Sequence, residues 1–316
     1  MRPHKKCVNV SPIFTLPVHR TFAGARVYHS SLSKRDMQPT QSPLTRLLKK
    51  IFFRRAARHP RLQRFWSRLH TLTIFGMNYG GGAAIESSGE LLVLANVVKQ
   101  VLANIDSPVV FDVGANVGDY ALQVRHYLPG AVIHAFEPAT LTYQKLVQRL
   151  AQTENIKLHN AGFSDCERTV ELYSYTVEGR EASPLSSIDQ RLPTQVLDVR
   201  VNSSEQAQVL TIDSFCEREV IDHIHFLKLD VEGHELSVLR GATRMLEGGL
   251  ISIIQFEFGP ANIYSRTYFY DFWSLLSSDY DVYRILPSGI VPIQDYGEHR
   301  EIFLTTNYLA IRKSNH

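Results

Sequence analysis

The fold this sequence predicts is an α/β domain on a mostly parallel, doubly wound sheet, and three observations predict it. From Val109 onwards, short apolar runs alternate with helix-length amphipathic stretches, as parallel strands joined by crossover helices require. The first such run ends in an acid and a glycine turn, Asp112-Val-Gly114-Ala-Asn116-Val-Gly118, which opens a helix. The charge is also split. Residues 1–85 hold 16 Lys and Arg against one acid, Asp36, a net +15, while residues 86–316 carry −12. A basic arm precedes an acidic body.

At 316 residues and 44% hydrophobic composition, the chain can bury one large core or two small ones. No stretch approaches the roughly 18 consecutive apolar residues of a spanning helix, which excludes an integral helical membrane protein. Cys7, Cys166 and Cys216 are odd in number, far apart and form no Cys-x-x-Cys pair. That argues against a disulfide framework or Cys-rich zinc site and for a reducing compartment, with the cytoplasm expected.

The arm divides in two. Residues 1–43 have scattered prolines and no periodicity, and read as disordered. They suit either a transit peptide, which would make the protein organellar, or an extended start upstream of Met37 or Met77. Within 44–85, Leu44, Leu47, Leu48, Ile51 and Phe52 recur at helical spacing among Arg46, Lys49, Lys50, Arg54 and Arg55. After Pro60 the stripe resumes at Leu62, Phe65, Trp66 and Leu69. A basic amphipathic helix can pack on its own acidic body, lie on the inner face of an anionic membrane, or clamp nucleic acid. Self-packing is favoured, and with no nucleic-acid module present no nucleic-acid partner is expected. Residues 1–76 are expected to be dispensable for the fold.

The body, 86–316, begins after the Gly80-Gly-Gly82 loop with a helical stretch to about Ile105. Strands are expected at Val109–Val113, Ala131–Phe136, Ile156–His159, His225–Leu229, Ile251–Phe256, Asp281–Ile285 and Ile302–Ile311. Helices are expected at Asp119–Leu128, Thr140–Ala151, Glu235–Leu246 and Tyr268–Ser277. Extra strands are expected at Glu171–Tyr173 and Leu197–Val201.

In the turn after the first strand, glycines let the backbone approach a ligand and the helix start offers unpaired N–H groups. A dinucleotide would require Gly-x-Gly-x-x-Gly; here the middle glycine is missing and Asp112 would repel a pyrophosphate. Asp112 suits instead a cationic sulfonium with an amino-acid tail. The second strand ends in Phe136-Glu137-Pro138, where an acid reaches the ribose of a nucleoside lying over the first turn. Asp112, Gly114, Asn116, Gly118 and Glu137 therefore point to S-adenosylmethionine rather than NAD. Ser164 and Asp165, after the third strand, are candidates for an adenine edge.

These segments, with Thr211-Ile-Asp-Ser214 and Phe226-Leu-Lys-Leu-Asp-Val-Glu-Gly-His-Glu235, resemble the FkbM-type methyltransferases over about residues 86–311. The resemblance implies a Rossmann-like class I methyltransferase fold with an antiparallel C-terminal strand. It further implies O-methylation of hydroxyls on sugars, polysaccharides or polyketides. A small-molecule or glycan acceptor is expected, and the different-class alternative is an inactive nucleoside-binding or scaffold protein on the same fold.

In Leu227–Glu232 strand alternation puts Lys228, Asp230 and Glu232 on one face, at the carboxyl ends of parallel strands where α/β sites lie. An acceptor hydroxyl must be oriented and deprotonated. Asp230 is the first candidate base, His234 the alternative, and Lys228 stands beside them. Asp230, Glu232 and Glu257 are the ligands expected if Mg²⁺ takes part, although no metal is favoured. Asn262, Tyr264, Arg266 and Tyr268 are candidates for an acceptor wall or a core-packing loop. His223 and His225 are expected to be structural.

Overall fold

A computed structural model describes Leu47, Lys50 and residues 59–82, 85–177, 185–187 and 199–314. Residues 1–43 and most of the first basic stripe lie outside them. The first element described end to end is α1 (Pro60–Gly76), followed by α2 (Ile85–Ser88), α3 (Glu90–Leu92), a π-helical segment (Val93–Val98) and α4 (Lys99–Val101). Then come β1 (Val109–Val113), α5 (Asp119–Tyr127), β2 (Val132–Phe136), α6 (Thr140–Leu150) and β3 (Ile156–His159). A β-rich insertion follows: β4 (Gly162–Phe163), β5 (Arg168–Val177), β6 (Leu185–Ser187) and β7 (Val199–Leu210). The rest is α7 (Ile212–Glu219), β8 (Ile224–Leu229), α8 (Glu235–Arg240), α9 (Thr243–Glu247), β9 (Ile251–Phe258), α10 (Ala261–Ser265), α11 (Phe269–Leu276), β10 (Tyr280–Leu286), β11 (Gly289–Ile293) and β12 (Thr306–Arg312).

Eight strands form one sheet in the order β11-β10-β12-β9-β8-β1-β2-β3. From β3 to β9 the neighbours are parallel, and β12 runs antiparallel between β9 and β10. The order reverses beside β1, so a crevice opens at the carboxyl ends of β1 and β8. The insertion makes a second sheet, β4-β7-β5-β6. This is a Rossmann-like class I methyltransferase fold with an antiparallel last strand.

Alternation along the central strands builds an apolar layer on each face. Phe111, Val113, Phe136, Leu227, Leu229, Ile254 and Phe256 point to one layer, and Val110, Ile133, Ala135, Phe226 and Ile253 to the other. His134 and His159 lie in the aromatic packing around Phe136 and Phe215, their rings 5.2 Å apart. Burial, then the charge of His159, lowers His134 to about 3, so it packs as a neutral ring. His223 and His225 are structural too: His225 Nδ1 accepts from the Val109 amide at 2.9 Å, and His223 meets Ser252 Oγ at 2.7 Å.

Three expectations need correction. The expected helix Glu235–Leu246 is two helices broken at Gly241, where a Cβ would stand 2.1 Å from the Ser164 carbonyl oxygen. The last strand starts at Thr306 rather than Ile302, and β7 runs to Leu210 because it pairs along nearly all of β5. Strand β8 ends at Leu229, and Glu232 adopts a left-handed backbone (φ 53°), so Lys228, Asp230 and Glu232 do not share a strand face. Helical residues stand on both sides of Pro60, Leu47 and Lys50 before it and α1 after it, and no residue of α1 is buried.

The chain joins the sheet just after α1. The Tyr79 ring is buried under the Arg284 guanidinium, 4.1 Å from its centroid. The Gly82 amide donates to the Thr305 carbonyl at 3.0 Å, and Asn307 Nδ2 donates to the Gly82 carbonyl at 3.2 Å. A chain starting at Met77 should therefore keep the unfolding midpoint of the full chain. Within it, Tyr79→Ala should cost about 2–4 kcal/mol by chemical denaturation.

Candidate active site

The turn after β1 is shaped by two glycines with different tasks. Gly114 (φ 83°) lies so close to the next strand end that a Cβ would stand 1.8 Å from the Asp230 carbonyl oxygen. Gly118 (φ 89°) faces α6: a Cβ there would meet Leu150 Cδ1 at 2.4 Å and Leu146 Cδ1 at 2.8 Å. Both its positive φ and the return of α6 require glycine there. Glu137, after β2, ties the turn down. Its Oε2 accepts from the Asn116 amide at 3.0 Å and its Oε1 from the Ala139 amide at 2.9 Å. Burial outweighs these bonds and raises the Glu137 carboxyl to about 7. Asn160 Nδ2 braces the same corner by donating to the carbonyls of Glu137 and Pro138.

Beside the turn lies a buried polar row. Register pairs Asp112 with Lys228 and Lys228 with Gln255, so three adjacent strands present polar groups side by side. Lys228 Nζ stands 3.5 Å from Asp112 Oδ1 and 3.1 Å from Asp230 Oδ2, and 4.7 Å from the Tyr120 ring centroid. Tyr120 donates to Gln255 Oε1, Gln255 Nε2 to Glu90 Oε1, and Ser88 to Glu90 Oε2. Burial alone would lower Lys228, but Asp230, Asp112 and Glu90 outweigh it and hold the ammonium above its ordinary value. Burial raises Asp112, only partly offset by Lys228. Asp112 is 0% exposed, whereas the Asp230 side chain is 44% exposed. Asp230 is thus the member of this network that a substrate can reach.

After Asp230 the chain turns through Gly233 into α8. Glu235 was missed as a positioning residue; its Oε1 accepts from the Val231 and Gly233 amides at 3.0 and 3.1 Å and fixes that turn. Burial raises Glu235 to about 7 despite these bonds. Burial, then Asp230 and Glu235, raises Glu232 to about 8, and burial, then Asp230, Glu232 and Glu235, raises Glu257 well above its ordinary value. Among the described residues, no group of three His, Cys, Asp or Glu stands in a metal-holding arrangement, so Asp230, Glu232 and Glu257 are not assembled as a ligand set. Thr211 and Asp213 are caps: Thr211 Oγ1 accepts from the Ser214 amide, and Asp213 from the amides of Arg244 and Met245.

Ser164 and Asp165 are engaged with Arg168, which reaches Asp165 Oδ1 at 2.8 Å and Ser164 Oγ at 3.1 Å. A cleft of about 460 Å³ is lined by His234, Ser237, Arg240, Tyr264, Arg266, Tyr268 and other residues of α8 and α10–α11. Three of the four expected wall residues line it. Asn262 does not; it is buried and its Oδ1 accepts from the Gly259 amide.

Strand order and turn together define the class of protein, and the comparisons agree. Residues 112–288, more than half of the chain, match the methyltransferase FkbM domain, and the protein belongs to that family. It is 27% identical over 147 residues to Methyltransferase 1 of Beauveria bassiana, covering 43% of this chain and 59% of that one. It is 29% identical over 162 residues to Methyltransferase sdnD of Sordaria araneosa (44% and 62%), and 22% identical over 156 residues to the 2-O-methyltransferase NoeI of Sinorhizobium fredii (48% and 64%). The chain thus spans about three fifths of the length of these relatives. Among solved structures, a Streptococcus mutans methyltransferase in complex with SAH aligns with TM-score 0.36 at 8% identity (69% of this chain, 96% of that one). The N-terminal domain of human METTL16 aligns with TM-score 0.34 at 11% identity (69% and 68%). Likenesses this low add nothing to what the strand order establishes.

The raised Glu235 carboxyl has a measurable consequence. Between its unfolded value of 4.5 and about 7, the unfolded chain has released this proton and the folded chain has not. The folded state then binds more protons, so stability falls as pH rises through that window. Glu235→Gln keeps the amide acceptor and removes the titration. It should shrink the stability lost between pH 5 and 7 by roughly 2–3 kcal/mol in urea titrations. An unchanged slope would place the Glu235 titration elsewhere.

Proposed function

We propose that the protein transfers a methyl group from S-adenosylmethionine to a hydroxyl of a carbohydrate, glycoconjugate or similar polyol. One observation carries this reading: Asp230, the reachable carboxylate, sits against the Gly114 turn, so an acceptor base and a nucleoside cradle share one corner. Family membership and the name of the Sinorhizobium relative support methylation at oxygen.

The residues present fit the cofactor. Asn116 Oδ1 and both Asp112 oxygens are buried acceptors that lack a well-formed hydrogen bond among the described residues, Asp112 being paired with Lys228 at 3.5 Å. Such acceptors match an ammonium and ribose hydroxyls, and oppose a pyrophosphate. Each Glu137 oxygen has a lone pair left beyond its backbone bond, enough for the ribose diol. Ser164 and Asp165, ordered by Arg168, are proposed on the adenine side. When bound, S-adenosylmethionine supplies an activated methyl group open to in-line displacement by the acceptor oxygen.

The chain's own contribution is orientation and proton removal. Asp230 takes the acceptor proton, with Lys228 fixing its carboxylate through the 3.1 Å contact. Lys228 stays charged and cannot itself serve as base. His234, on the cleft wall, is the second candidate base. The cleft holds the acceptor, with Tyr264 and Tyr268 against a sugar's apolar face.

The test is labelled-methyl transfer from S-adenosylmethionine into a panel of glycans and polyols, with two variants. Glu137→Ala should weaken cofactor binding by roughly 1–3 kcal/mol in calorimetry. Asp230→Asn should bind cofactor normally and lose most turnover, a drop of about 10²–10⁴. Wild-type turnover by Asp230→Asn would move the base to His234, and transfer only to nitrogen or carbon acceptors would overturn the hydroxyl assignment.

A further inference from the structure

Helix α1 is the least explained part of the molecule. Its 17 residues contain no acid and include Arg61, Arg64, Arg68 and His70. Leu62, Phe65, Trp66, Leu69 and Leu72 recur at the spacing that forms one helical side, and the three arginines form a row along one edge of it. Most of that side is open: Phe65 is 55% exposed and Leu72 67%, Trp66 is half-buried, and no residue of the helix is fully buried. Several polar groups are satisfied within the helix. His59 Nδ1 caps the Arg61 amide, and the Thr71 and Thr73 hydroxyls donate to the carbonyls of Ser67 and His70. Directly upstream, residues 44–58 add Arg46, Lys49, Lys50, Arg54, Arg55 and Arg58, again with no acid.

We propose that α1 docks the protein on an anionic lipid surface, with the Leu62–Leu72 side in the acyl boundary and the arginines among the headgroups. Charge selects this occupant, since nine Lys and Arg without an acid in residues 44–76 match a negative leaflet. The apolar side separates it from nucleic acid, because phosphates and sugars do not desolvate exposed leucine and phenylalanine. None of the described helices is long and apolar enough to cross a membrane, so the attachment is peripheral. The Tyr79–Gly82 clamp then fixes the body to the docked helix through the β10–β12 side of the sheet.

Flotation of the full chain tests this, using vesicles of phosphatidylcholine alone and of phosphatidylcholine with phosphatidylserine. The full chain should float with the anionic vesicles, stay behind with the neutral ones, and detach as salt is raised. Leu62→Ser/Leu69→Ser/Leu72→Ser should lower the vesicle partition coefficient at least about tenfold, and Arg61→Gln/Arg64→Gln/Arg68→Gln about a hundredfold. Both variants should unfold at the wild-type temperature, since these side chains are unburied. The proposal is overturned if the full chain does not float with anionic vesicles, or floats equally with neutral ones. It is also overturned if the leucine variant floats like the parent, or if an RNA or duplex DNA retains the chain while anionic vesicles do not.

Discussion

A lysine ammonium buried inside a protein needs negative partners at contact distance, and Lys228 has Asp112 and Asp230 on either side. That requirement organises the centre of the sheet. Asp112 is fully enclosed and would be costly to ionise without the ammonium. Glu90, from the helical segment before the first strand, joins the same charge group through Gln255, and the Tyr120 ring closes over the ammonium. The row lies on three adjacent strands in register, so its geometry is set by the sheet and not by loops. Asp230 is the end of the row that meets solvent.

The backbone completes what the charges begin. Gly114 and Asp230 touch so closely that no side chain fits between them. Glu137 reaches from the neighbouring strand end to hold the Asn116 amide. Strands β1, β2 and β8 are thus locked together at one corner, and the groups left pointing into it are acceptors. A ligand rich in donors and positive charge is what such a corner stabilises.

Much of this was legible in the sequence because the signals are local. Val109–Val113 and Ala131–Phe136 read as buried parallel strands, and the acids at their ends, Asp112 and Glu137, fall where a period of two and a short turn must put them. What escaped depended on distant partners. Gly118 is glycine because Leu146 and Leu150 return on α6, and the break at Gly241 exists because the Ser164 carbonyl lies against it. Glu90, Tyr120 and Gln255 come from a helical segment, a helix and a strand with no common spacing, so nothing in the chain announces that they enclose Lys228. Glu235 carried a signal, an acid at a helix start six residues after a strand end, that was read only as part of a motif. For the basic stripe, charge balance alone favoured the acidic body, whereas no residue of α1 is buried.

The central claim is that the corner formed by Asp112, Gly114, Asn116 and Glu137 is built for a cationic nucleoside. Calorimetric titration of the full chain with S-adenosylmethionine and, separately, with NAD tests it most directly. One molecule of S-adenosylmethionine bound per chain, with no heat from NAD, is the result this account predicts. Binding of NAD, or of neither ligand by a folded chain, would contradict it.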